Sequence, residues 1–423
     1  MTKNKNKIYF PDYKLVKQAE LILKNIIYQT PLQKNYILSE KYNANILLKR
    51  EDLQIIRSYK IRGAYNKIKS LSKKELINGL VCASAGNHAQ GVAYSCNLLK
   101  SHVKIYMPNT TPKQKVERVK MFGKEYVEII LRGDTYDSVS YDAIKDCKKN
   151  NKIFIHPFDD KKIIEGQATV GLEILEQSNN LKIDYIFIPI GGGGLASGVG
   201  SIFQQISPKT KIIGVEPLGA PSMSYSLKKG KIIELNNIDR FIDGASVKKV
   251  GQLTFDICKQ VLYELKLVHE GKVCTTMLDL YNLEAIVAEP AGALSIAALD
   301  CYYEKIKGKT IVCILSGGNN DITRTEEIRE RSLLYEGKKH YFIVNFPQRS
   351  GALKEFVNNI LGKQDDIVYF EYYKKTSKEE GPAVIGIELS DKNDFSELIK
   401  NMKTYNVHYQ YLNKNPDLFR VLV

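Results

Sequence analysis

From about residue 79 onward, short apolar, β-rich runs alternate with amphipathic helical stretches, and few folds accept that rhythm. The pattern predicts strands at Gly79–Ser84, Val103–Met107, Tyr126–Leu131, Ile153–His156, Tyr185–Ile190, Lys211–Val215 and Thr310–Leu315. Helices are expected at about His88–Lys100, Pro112–Phe122, Tyr136–Lys149 and Lys161–Gln177, with another, Asp321–Leu334, closing the main body. Strands that are apolar almost throughout need helices on both faces, which gives a wound, parallel α/β architecture.

At Glu336–His340 a charged linker, EGKKH, introduces a different order. Strand Tyr341–Phe346 precedes helix Ala352–Leu361; strands Ile367–Tyr373 and Ala383–Leu389 flank a polar Lys/Glu loop. Helix Asp394–Thr404 and strands His408–Leu412 and Phe419–Val423 complete it. This βαββαβ order is the ferredoxin-like α+β plan.

With 423 residues the chain exceeds what one core supports, so two or three domains are expected. No apolar run reaches the roughly eighteen residues of a membrane span, and no apolar segment follows the basic opening MTKNKNK. A cytoplasmic protein without a membrane partner is therefore expected. The net charge of +15 comes from lysines scattered along the chain, with no compact basic run interleaved with aromatics. A solvated surface explains them better than a nucleic-acid partner. The seven cysteines form no C-x-x-C pair, which fits reduced, mostly buried thiols and not a zinc site or disulfide framework.

Four segments could carry chemistry. SYKIRGA (58–64) places Lys60 beside Gly63 and Ala64, where close packing at a helix start would strip its hydration and lower its pKa. By itself a lysine beside an arginine is ordinarily surface. In ASAGNHAQGVA (83–93), Ser84, Ala85 and Gly86 make a small-residue turn into a helix, whose N–H groups suit a carboxylate or phosphate. Asn87 and Gln90 add neutral donors; His88 is either a general base or, as first-turn histidines more often are, a structural hydrogen-bonder. Gly191, Gly192, Gly193, Gly194 and Leu195 follow a strand and can bring amides against a phosphate. The same stretch fits a dinucleotide fingerprint, Gly191-x-Gly193-x-x-Ala196 with Glu216 about twenty residues on, and alone would favour a dehydrogenase. Finally, Ser316-Gly317-Gly318-Asn319 ends a buried strand, either as a plain turn or as a hydroxyl set beneath a ring nitrogen.

In this order and spacing, the four motifs resemble the fold-type II pyridoxal phosphate enzymes (tryptophan synthase β-like), most closely the threonine dehydratases, over nearly the whole chain. The resemblance implies wound parallel sheets in two subdomains: a catalytic domain over 1–335, with a small subdomain at about 57–160 inserted, and an ACT-like regulatory domain over 339–423. It implies that Lys60 carries pyridoxal 5'-phosphate as a Schiff base and removes the substrate α-hydrogen. Asn87 would bond the ring hydroxyl, residues 191–195 the phosphate, and Ser316 the ring nitrogen. The turn of Ser84, Ala85, Gly86, Asn87 and His88 would hold the substrate carboxylate. A neutral serine should leave the ring nitrogen unprotonated and favour loss of the β-hydroxyl, with the cofactor phosphate as the proton donor of this family.

Ala85 stands where related serine racemases carry a second acid/base serine, so dehydration is expected over racemisation. EPAGA (289–293) resembles a pocket-lining element, with no role given to Glu289. The implied reaction turns L-threonine into 2-oxobutanoate and ammonia, at the start of isoleucine synthesis, with L-serine as a second substrate to test. Isoleucine and valine are the implied effectors and a homotetramer the implied assembly. A monovalent or divalent cation near Glu216 is left open. Two rivals stand beside this reading: a nicotinamide-dependent oxidoreductase using Gly191, Gly193 and Glu216, and an amino-acid-binding protein using only the tail.

Overall fold

The computed structural model describes residues 9–372 and 379–422. The MTKNKNK opening, Tyr373 with most of the Lys/Glu loop after it, and Val423 lie outside the described residues. The chain divides into two units, Met1–Asp321 and Ile322–Val423.

In the first unit the apolar runs form two parallel sheets. The larger has six strands in the order Leu32–Lys34, Asn45–Arg50, Thr310–Leu315, Tyr185–Pro189, Lys211–Pro217 and Glu264–Val268. Only its first pair is antiparallel. The smaller is wholly parallel, with Val127–Leu131, Val103–Met107, Leu80–Ala83 and Ile153–Phe154 side by side. Ile186, Ile188, Val312 and Ile314 fill the core of the large sheet, and Leu80, Cys82, Val103 and Ile105 that of the small one. The strands expected from the sequence follow from their apolar character, whereas Leu32–Lys34 and Glu264–Val268 were not assigned. Strand Asn45–Arg50, which the sequence reading left unassigned, is obscured by Lys49, a fully buried lysine paired with Glu173 at 2.6 Å.

Helix Lys60–Lys69 is held against two neighbours by small residues. A Cβ on Gly63 would lie 2.4 Å from Gln167 Nε2, and one on Gly166 would lie 2.6 Å from the Arg62 carbonyl oxygen. On another side, a Cβ on Gly91 would come within 3.2 Å of the Lys60 carbonyl oxygen. Close packing at this helix start, expected from Gly63-Ala64, is what fixes the Lys60 backbone.

The second unit carries an antiparallel sheet in the order Asp366–Tyr372, Glu380–Glu388, Lys339–Pro347, Tyr409–Tyr411. With helices Ala352–Ile360 and Phe395–Thr404 it completes the ferredoxin-like plan. Two expectations are corrected. The helix expected to close the main body spans Thr325–Glu336 and packs within this second unit, where Glu330 accepts from Lys339 and, at 2.7 Å, from the Tyr341 hydroxyl. The strand expected at Phe419–Val423 is instead a helix, Pro416–Leu422. Asn415 accepts from Leu418 N at 3.3 Å, and proline stands at the first helical position; that start outweighs the β-prone LFRVL composition.

Candidate active site

The parallel strands end on one cavity of about 760 Å³, within the usual ~300–1,000 Å³ of small-molecule sites. Lys60, residues 84–88, residues 191–195, Glu289 and Ser316 all line it. Among the residues singled out in the sequence, Glu216, Ala196, Gly317 and Gly318 do not.

Backbone hydrogen bonds join the lysine segment to the serine turn. Ser58 bridges Gly317, Tyr59 N donates to the Ser316 carbonyl at 3.2 Å, and Gly318 N donates to the Arg57 carbonyl at 2.9 Å. Lys60 and Ser316, far apart in sequence, are thus fixed by one clamp. Lys60 Nζ donates to the Pro157 carbonyl at 2.9 Å, and desolvation lowers its pKa to about 8, partly opposed by the nearby Glu289. Ser316 is buried, its hydroxyl 3.3 Å from the Ala291 carbonyl oxygen.

Asn87 begins helix Asn87–Leu99. Its Nδ2 donates to both Glu289 oxygens at 2.7 and 2.9 Å, and its Oδ1 accepts from Asn319 Nδ2 at 2.6 Å. His88 is buried with Nε2 3.0 Å from the Ile155 carbonyl oxygen, so that nitrogen carries the hydrogen. Burial first, then the Lys60 charge, drives its pKa to about 3. The ring is a neutral structural donor, and the turn can offer an anion its backbone amides.

Gly193 caps helix Gly194–Ile206 with φ of 92°, and no side chain caps the orphan amides of that helix start. The adjoining positions have no room for side chains. A Cβ on Gly192 would lie 2.3 Å from the Phe158 ring, and one on Gly191 would lie 2.9 Å from Ala245 Cα. This bare, amide-lined helix start fits a phosphate. With an amine, an amide and a hydroxyl lining the same cavity, the residues fit pyridoxal phosphate.

Glu216 is wholly buried, and its two oxygens accept from Met223 N at 2.7 Å and Ser224 N at 2.8 Å. Burial outweighs these donors and raises its pKa to about 8. It anchors helix Ser222–Lys229 and is not presented to a nucleotide ribose. Among the described residues no group of three or more His, Cys, Asp or Glu could hold a metal ion.

Sequence reasoning passed over Phe158, Asp159 and Thr254, and gave Asn319 no role of its own within its motif. His156 Nδ1 accepts from Phe158 N at 3.2 Å and from Asp159 N at 2.7 Å, shaping a turn that puts Phe158 against the glycine loop. Asp159 accepts from Gln252 N and Thr254 N, and Thr254 Oγ1 donates to the Gly192 carbonyl at 2.6 Å. The available signal was HPFDD, a turn-forming cluster directly after a parallel strand, where α/β ligands bind.

Comparison with known proteins shows the family to which the chain belongs. Residues 23–317 match the family described as pyridoxal-phosphate dependent enzyme, and residues 330–422 the C-terminal regulatory domain of threonine dehydratase. The chain is 58% identical over 405 residues to the biosynthetic L-threonine dehydratase IlvA of Halalkalibacterium halodurans, covering 96% of this chain and 97% of that protein. It is 54% identical to the Bacillus subtilis protein of the same name, covering 97% of each. The processed form of threonine deaminase isoform 2 from Solanum lycopersicum superimposes with a TM-score of 0.71 at 39% identity, over 77% of this chain and 96% of that one. Maize serine racemase also superimposes with a TM-score of 0.71, at 30% identity, over 77% of this chain and 99% of that one.

Proposed function

The chain belongs to the pyridoxal phosphate-dependent threonine dehydratases, and from that premise we propose that Lys60 both holds the cofactor and acts as the base of the reaction. The enzyme dehydrates and deaminates L-threonine to 2-oxobutanoate and ammonia, the first step of isoleucine biosynthesis from threonine. The observation that carries the site assignment is the convergence of Lys60, Asn87, residues 191–195, Ser316 and the 84–88 turn on one cavity.

Bound pyridoxal phosphate supplies an electron-withdrawing ring conjugated to the substrate nitrogen, which acidifies the α-hydrogen. The amides of the 191–195 loop would receive the phosphate, and Asn87 would donate to the ring oxygen. Ser316 would offer the ring nitrogen a hydrogen bond without the negative charge that would draw a proton onto it. The amides of the 84–88 turn would receive the substrate carboxylate, with Lys60 lining the same cavity as the base for the α-hydrogen. With its pKa near 8, the Lys60 amine is free often enough at neutral pH to take that hydrogen. Ala85 carries no hydroxyl to return a proton from the opposite side, so elimination has no competitor there.

The regulatory domain supports control by amino acids, with isoleucine slowing turnover and valine opposing it. The proposed assembly is a homotetramer. Six of the seven free cysteines are buried, which suits a reducing cytoplasm; among the described residues no helix is long and apolar enough to cross a membrane. The test is keto-acid release from L-threonine and from L-serine, with and without isoleucine, alongside light scattering of the holoenzyme. Unchanged rates with isoleucine would remove the feedback claim, and a mass other than four chains the assembly claim.

A further inference from the structure

Glu289 lines the cavity, yet the reaction as derived gives it nothing to do. Its side chain makes no helix-capping hydrogen bond, although Glu289 is the N-cap residue of Pro290–Ala297. Among the described residues it has no ion-pair partner within salt-bridge distance. A carboxylate buried without a cation is costly. The surrounding backbone also makes room for it: a Cβ on Gly317 would lie 2.4 Å from Glu289 Oε1.

Both Glu289 oxygens accept from Asn87 Nδ2, while Asn319 Nδ2 donates to Asn87 Oδ1. Burial raises the Glu289 pKa to about 7, so the carboxylate form prevails above neutral pH; in that form it only accepts while an amide nitrogen only donates, and the Asn87 amide has one permitted orientation. Turned over, it would set oxygen against carboxylate and nitrogen against nitrogen. We propose that Glu289 is a positioning residue: it holds the Asn87 amide with its amino group on the Glu289 side, one N–H shared between the two carboxylate oxygens and the other left to donate to the cofactor's ring oxygen. Asn319 completes the lock from the other end. The inference rests on the reading that Asn87 meets that oxygen.

The test measures cofactor dissociation constants and the visible spectrum of the bound cofactor for the full-length wild type, Asn87→Ala, Glu289→Gln, Glu289→Ala and the double variant Asn87→Ala/Glu289→Gln. Loss of a hydrogen bond to a charged oxygen should weaken cofactor binding on the order of tenfold in Asn87→Ala. Glu289→Gln, which can accept or donate and so frees the amide to turn, should weaken binding severalfold and shift the visible band; Glu289→Ala should do at least as much. In the Asn87→Ala background, Glu289→Gln should change neither further. A wild-type dissociation constant and spectrum in both Glu289 variants would overturn the proposal, as would losses that multiply in the double variant. Wild-type binding and spectrum in Asn87→Ala would instead overturn the underlying reading of Asn87.

Discussion

Lys60 shows how little a residue's function resides in the residue. Its amine is ordinary; its surroundings lower its pKa from 10.5 to about 8, chiefly by desolvation. Only the neutral amine attacks a carbonyl, so cofactor capture by the apo-protein should accelerate about tenfold per pH unit below 8 and level off above it. Growth of the cofactor's visible absorbance from pH 6 to 9 measures this, and a flat profile would refute the depressed pKa. At this scale, Lys60, Asn87 and Ser316 were legible because each sits in a short motif of fixed spacing. Phe158 was not, because an aromatic residue after a strand reads as core until the glycine loop is seen against its ring. Asn319 stood inside a recognised motif, but its bond to Asn87 joins the ends of two different strands, which spacing along the chain cannot display.

Among the elements, the glycine loop and the lysine helix make separate demands. Gly192→Ala should force its new methyl into the Phe158 ring, at a cost of about 1–3 kcal/mol and with weakened cofactor binding. Adding Phe158→Ala should recover part of that affinity; equal weakness in single and double variants would locate the effect elsewhere. The lysine helix rests on a buried charge cluster in which Arg62 pairs with Glu51 and Glu173, and Glu173 with Lys49. Arg62→Ala would leave the buried Glu51 carboxylate without a cation and Glu173 with Lys49 alone, and a loss of about 3–5 kcal/mol is expected by denaturant titration. A loss below about 1 kcal/mol would contradict it. That cluster could not be read in advance: Lys49, Glu51, Arg62 and Glu173 lie on separate elements, each disguised as an exposed polar residue. The parallel strands were readable because burial on both faces leaves a continuous apolar run. The terminal helix was misread because LFRVL has strand composition and its Asn-Pro start was given too little weight.

For the whole molecule, the α/β order and the ferredoxin-like tail were both visible in the alternation of apolar patterns. The boundary between them was less so: a charged linker at 336–340 drew the eye, whereas the helix before it already packs with the tail. The glycine-rich loop alone would have led to a dinucleotide enzyme. The burial of Glu216 in a helix anchor and the convergence of the other motifs turn it toward a phosphate of different chemistry. The claim on which the account turns is that one side chain, Lys60, both holds the cofactor and moves the proton. The direct test is 2-oxobutanoate release from L-threonine by full-length Lys60→Ala protein saturated with pyridoxal phosphate, beside the wild type. The account predicts steady keto-acid production by the wild type and a loss of at least about a thousandfold in the variant; a variant turning over within tenfold of wild type would contradict it.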